Sequence, residues 1–212
     1  MKIRRKKITI PTYCVGAPES LPLFFEKRPY QGASGKVYPI PFVPTLSDEK
    51  KKVAYDGYVL ENEYVRVELL PELGGKIHSA VDKTNGYDFI YHNRVIKPAM
   101  VGLAGPWVSG GIEFNWPQHH RPTTFMPVQS TIARSEGRRA VYMGEVDYFH
   151  RMKGMLALSL EDGCSCIRAD ITVYNGTPVA HPFMWWANMA VQVDDNYRIV
   201  FPPDVEYVND HD

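Results

Sequence analysis

The chain has 212 residues, 44% of them apolar and 23% charged. That is a globular composition, long enough to bury a core without disulfide or metal staples. Its 24 basic residues balance 24 acidic ones, which leaves no electrostatic footprint for nucleic acid or an anionic membrane.

The opening MKIRRKKITIPTYCVGAP begins with a basic run. Thr9, Pro11, Thr12 and Tyr13 then interrupt the apolar stretch that a signal peptide needs. No uncharged apolar stretch reaches membrane-spanning length, so neither a membrane nor a nucleic-acid partner is expected. Cys14, Cys164 and Cys166 are an odd number, two of them one residue apart. That is not a disulfide framework. They read as reduced, packed thiols, in keeping with a cytoplasmic setting. Residues 1–52 hold Pro11, Pro18, Pro22, Pro29, Pro39, Pro41 and Pro44. They read as an irregular, proline-rich N-terminal arm that wraps the body or a partner subunit, ahead of a β-sandwich domain over 53–212.

From Val53 the apolar period becomes two. Val65, Val67 and Leu69 share one face of a strand and Arg66 and Glu68 the other. Glu72 to Gly75 turn the chain into a second strand, Lys76–Asp82, and KTNG marks a tight hairpin into a third, Tyr87–Tyr91. Further strands are expected over Val128–Ala133, Arg138–Val146, Met155–Leu160, Cys164–Tyr174 and Ala180–Val193. In Cys164–Tyr174 the residues Ile167, Ala169, Ile171 and Val173 alternate with Arg168, Asp170 and Thr172, the cleanest pattern in the chain. No capped stripe of helical period persists. The predicted class is therefore all-β, an antiparallel twisted sandwich. The sequence stops just after a strand and its turn, so it reads as the front part of a longer protein.

Two segments concentrate chemistry. GGIEFNWPQHH, Gly110 to His120, sets Glu113, Asn115, Trp116, His119 and His120 ahead of Arg121, among many Gly and Pro residues. It reads as a long loop on a rigid scaffold, where binding groups commonly sit. A purely structural reading also stands: Trp116 plugs the core, Glu113 pairs with Arg121, and the histidines are exposed. HPFMWWANMAV, His181 to Val191, alternates so that Trp185 and Trp186 point to opposite faces. One indole therefore lies on an open face or in a cleft, unless both faces of the sheet are covered. A flat indole beside Asn188, histidine and glutamate suits a sugar, whose C–H face stacks on the ring while its hydroxyls take hydrogen bonds. His78, on the strand after the ELLPELGG turn, is a further candidate. A metal held by His119, His120 and Glu113 or His78 lacks any supporting ligand spacing, so no metal and no cofactor are expected.

The order LLPELGGKI, YDFIYHN, GGIEFNWPQHH and PFMWWANMAV resembles the galactose-mutarotase-like supersandwich. Within it the chain is most similar to an uncharacterised bacterial domain often found ahead of tetratricopeptide repeats. The resemblance covers about residues 55 to 205 and implies a twisted sandwich whose concave face binds carbohydrate. It also implies acid/base work on the sugar by two histidines and a late glutamate. His119 or His120 falls near the first family histidine. The strand of the second carries Trp186 instead, and the glutamate would lie at or beyond the chain end.

Three expectations follow. The first is a carbohydrate-active enzyme of epimerase, mutarotase or glycoside-processing type, with Glu113, His119 or His120 as acid/base groups. Asn115, Trp116, Arg121, Trp186, Asn188 and His78 would hold its substrate. The second is a non-catalytic sugar-binding or assembly module, partnered by a C-terminal repeat domain or further copies of itself. The third is a metal-dependent enzyme on a β-barrel. Carbohydrate recognition, common to the first two, is the expectation carried forward.

Overall fold

The computed structural model describes residues 1–24, 37–117 and 120–208. In chain order its strands are β1 (Lys2–Val15), β2 (Pro22–Phe24), β3 (Val37–Pro41), β4 (Leu46–Glu61), β5 (Val65–Leu70), β6 (Lys76–Asp82), β7 (Tyr87–Asp88), β8 (Ala99–Gly102), β9 (Gly105–Trp107), β10 (Ile112–Asn115), β11 (Gln129–Ser135), β12 (Arg138–Val146), β13 (Met152–Leu160), β14 (Ile167–Asn175) and β15 (Trp186–Met189). No α-helix occurs among the described residues, so none there is long and apolar enough to cross a membrane.

Two antiparallel sheets form the sandwich. The larger runs β1-β4-β5-β6-β10-β15, with β7 beside β6; the smaller runs β11-β12-β13-β14. Period two explains the packing of β5. Val65, Val67 and Leu69 enter the main core between the sheets, against Ile77, Phe114, Val141, Leu156 and Leu158. Leu70, next in the strand, points the other way. It joins a second apolar cluster with Ile8, Ile10, Tyr55, Leu73, Ile96 and Val108. Leu69 and Leu70 are both fully buried, each contributing about 1.5–3 kcal/mol by removal from water. The larger sheet is therefore covered on both faces near its middle.

Four local expectations need correction. The proline count predicts an irregular stretch over 1–52, yet β1 pairs with β4 from Lys2↔Glu61 to Tyr13↔Lys50. Pro11 is tolerated because β1 is an edge strand, where a missing N–H costs no ladder bond. Its outward carbonyl accepts from Ile96 N at 2.9 Å. The charged SDEKKK run at the end of that arm is likewise regular, lying at the start of β4. The centre of GGIEFNWPQHH is likewise a strand, β10: Ile112 and Phe114 alternate with Glu113 and Asn115, a pattern masked by the flanking glycines and proline. The strands expected over Tyr87–Tyr91 and Ala180–Val193 shrink to β7 and β15.

Candidate functional site

The β10–β15 ladder joins the two chemistry-bearing segments. It sets Glu113 opposite Asn188 and Asn115 opposite Trp186. Opposed residues and their i+2 neighbours share a face, so these four side chains project to one side. Ile112 and Phe114 project to the other, into the main core. The polar group thus lies on the face of the larger sheet turned away from the smaller sheet. Gly111 makes the approach of β10 to β6 possible. Its φ is +74°, and a Cβ there would sit 2.1 Å from the Ile77 carbonyl oxygen.

Glu113 is 7% exposed. His120 Nδ1 donates to its Oε1 at 3.3 Å. Burial alone would raise the Glu113 pKa; the hydrogen bond and charge of His120 outweigh it, helped by the Trp107 indole and the Asn115 amide, and hold the carboxyl below its ordinary value. The Glu113 hydrogen bond in turn raises His120 against the opposing effect of its own burial. The two form a carboxylate–histidine pair in which each favours the charged form of the other. Glu113 Oε2 and Asn115 Nδ2 are buried without a well-formed hydrogen bond among the described residues.

Lys76 lies behind this pair, 4% exposed, donating to the carbonyls of Val108 at 3.1 Å and Ser109 at 3.2 Å. Burial lowers its pKa to about 8, against the attraction of Glu113. His78 is also buried. Desolvation, then the charges of His92 and Lys76, lower it to about 4, so it is a neutral imidazole at pH 7. Its ring meets that of His92 at 4.9 Å, and His92 Nδ1 lies 2.8 Å from Asp88.

The two indoles of β15's approach separate. Trp185 stacks on Phe114, ring centroids 6.1 Å apart, against the main core. Trp186 is half-buried and meets the His120 ring edge-on at 5.5 Å. Asn188 is exposed.

The remaining expected site residues stand apart. Trp116 is buried in the main core, its ring flat against Gly154, and offers no surface to a ligand. Arg121 is buried and consumed by the protein. Its Nε donates to Phe114 O at 2.8 Å, one terminal nitrogen to Glu145 at 2.6 Å, and the other to Gly74 O at 2.6 Å. Its ion-pair partner is thus Glu145, and that of Glu113 is His120. His119 lies outside the described residues. Lys76 was not singled out from sequence; its signal is a lone cation at the head of a strand otherwise destined for burial.

The group formed by Glu113, His120, Trp186, Asn188 and Lys76 combines an ionised carboxylate, a proton donor, an aromatic surface and an amide. It can accept hydrogen bonds from hydroxyls, stack on an apolar ring face and exchange a proton. Among the described residues no group of three His, Cys, Asp or Glu side chains is arranged to hold a metal.

One solved structure, the crystal structure of a TPR-domain containing protein from Parabacteroides distasonis ATCC 8503, is similar over 90% of this chain at 28% identity and a TM-score of 0.76. The chain spans 32% of that protein's length. Residues 33–212 match one family throughout, and the chain belongs to it: the family described as Domain of unknown function (DUF5107).

Proposed function

We propose that this chain is a carbohydrate-recognising domain of mutarotase-like architecture, with its sugar site on the β10–β15 face. The observation that carries the reading is the ladder register, which sets Glu113 across from Asn188 and beside Trp186 and His120. Trp186 supplies the stacking platform and Asn188 the exposed amide. Glu113 accepts from sugar hydroxyls and, with His120, supplies an acid/base couple. Glu113 Oε2 supports this role: it is buried without a well-formed hydrogen bond, and a ligand hydroxyl would supply a better-aligned donor than the nearby Trp107 indole and Asn115 amide.

The test is a panel of neutral mono- and oligosaccharides read by thermal shift and calorimetry. A sugar that raises the melting temperature is expected, with affinity falling about tenfold or more in Trp186→Ala. Turnover of that sugar, lost in Glu113→Gln, would identify an enzyme. Binding without turnover would identify a recognition module. If no sugar binds, the proposal fails. The likeness to a TPR-domain containing protein favours a second reading, in which the domain is an assembly module joined to helical repeats.

A further inference from the structure

The outer face of the larger sheet carries a second cleft, at its β1–β4 end. Its volume is about 260 Å³, and Val15, Val53, Leu73, Ile96, Phe125 and Pro127 line it. The register of β1 on β4 builds the floor. Thr12, Val53 and Tyr55 turn to one face, where Thr12 Oγ1 and the Tyr55 hydroxyl lie 2.9 Å apart. Thr12 Oγ1 donates to Ile10 O at 3.1 Å, so the phenol donates to Thr12. With those groups satisfied, the cleft presents apolar surface and the free, half-buried thiol of Cys14. β5 and β6 stand between β4 and β10. At about 4.8 Å per ladder step, the cleft is about 14 Å from the group around Glu113.

The two ends of the cleft differ in charge. Lys51 stands directly across from Thr12 and two residues before Val53, hence on the face of the cleft. Lys97 follows Ile96 in the wall, its ammonium 5.0 Å from the centre of the Tyr13 ring. Lys6, Lys7 and Lys83 pair with carboxylates; among the described residues Lys51 and Lys97 pair with none. Glu49 falls in the irregular stretch between the Tyr13↔Lys50 and Val15↔Leu46 pairs, where alternation does not set its face. Glu72 lies at the opposite end, accepting from the Asp56 N–H at 2.8 Å. Lys51 and Tyr55 are four residues apart in β4, about 13 Å along the strand. An anion at the lysine end is therefore held well away from Glu72.

We propose that this cleft binds a small amphipathic anion, an apolar body that ends in a carboxylate. The carboxylate sits at Lys51 and Lys97, and the body lies over Val53 and Tyr55. A water occupies about 30 Å³ of liquid, so the cleft of about 260 Å³ admits a body of about nine non-hydrogen atoms. A medium-chain fatty acid meets both conditions. The inference does not depend on sugar binding.

Octanoate, octanol and octylamine, each below its micelle-forming concentration, test it on the whole chain. The readout is iodoacetamide alkylation of each cysteine, followed by peptide mass spectrometry. Octanoate should slow alkylation of Cys14 about tenfold or more and leave Cys164 and Cys166, between β13 and β14, reacting as before. Octanol should protect Cys14 less and octylamine least, because only the carboxylate gains from the two ammonium groups. Added salt should narrow the gap between octanoate and octanol. Lys51→Glu combined with Lys97→Glu should weaken protection by octanoate about tenfold and leave protection by octanol unchanged. Both lysines are exposed, and circular dichroism and thermal melting establish that the variant is folded. Trp186→Ala should change none of these results. A Cys14 thiol that octanoate leaves unprotected overturns the proposal. So does equal protection by octylamine, or a charge-reversed variant that octanoate protects as well as the native chain.

Discussion

At the scale of single residues, the segment Gly110 to Arg121 divides between stability and surface chemistry. Trp116 lies on Gly154 so closely that a Cβ there would sit 2.3 Å from the indole. Because the indole is walled in by the main core, it has little room to shift. Gly154→Ala should therefore cost about 1–3 kcal/mol in urea unfolding, although alanine normally suits a strand better than glycine. An unchanged midpoint would show that the indole moves aside freely. Arg121 acts as a pin between strands. Its guanidinium joins β10 through the Phe114 carbonyl, the Gly74 turn and Glu145 of β12. Arg121→Met would strand Glu145, whose side chain is 14% exposed, and leave two carbonyls without donors. The expected loss is about 3–5 kcal/mol. Since Glu145 then carries an unmatched charge, adding Glu145→Gln to Arg121→Met should recover part of that loss.

At the scale of elements, β10 and β15 are short, and each divides its side chains between a core and a polar face. This gives the adjacent tryptophans opposite fates. Trp185 stacks on Phe114 at the main core, whereas Trp186 meets His120 on the outer face. Trp185→Ala should cost roughly 2–4 kcal/mol of folding free energy, and Trp186→Ala much less. Equal losses in chemical denaturation would mean that both indoles serve packing. Much of this was legible in the sequence. The alternation of VRVELL marks β5 because Val65, Val67 and Leu69 share one buried face, whereas KIHSAVD and RRAVYMGEV are placed as β6 and β12 by the turns that bound them, since both bury adjacent residues. The opposite orientation of Trp185 and Trp186 follows from period two alone. What was not legible depended on tertiary partners. β1 carries Pro11 because Ile96 takes its free carbonyl, a contact more than eighty residues away in the chain. Arg121 looked like a ligand-binding cation until Gly74 and Glu145 arrived from other parts of the chain. Lys76 gave no periodic signal, because its burial is set by the carbonyls of Val108 and Ser109.

At the scale of the whole molecule, a sheet covered on both faces carries titratable groups into places that water does not reach. That should be visible in the pH dependence of stability. Groups whose folded pKa is depressed and groups whose folded pKa is raised act in opposite directions. His120 is raised, so its contribution is fully present below its unfolded value of 6.5 and is lost as pH rises through the higher folded value. Glu113 is lowered, so its contribution is present above 4.5 and is lost only as pH falls through the folded value below that. Between pH 6.5 and 4 neither opposes folding. His78 does. Its pKa falls from 6.5 to about 4, so in that window the unfolded chain binds a proton that the folded chain refuses. Stability should drop as pH falls across the window, by on the order of 3 kcal/mol in total. Replacing the imidazole by a group that cannot titrate should remove this slope while leaving the others. The measurement is a set of urea unfolding curves from pH 4 to 7 for the native chain and for His78→Gln. The difference between the two should shrink, or change sign in favour of glutamine, as pH falls. A constant offset across the range would mean that His78 takes its proton as readily in the folded protein as in the unfolded chain. The outer face of the larger sheet would then be wet where His78 sits.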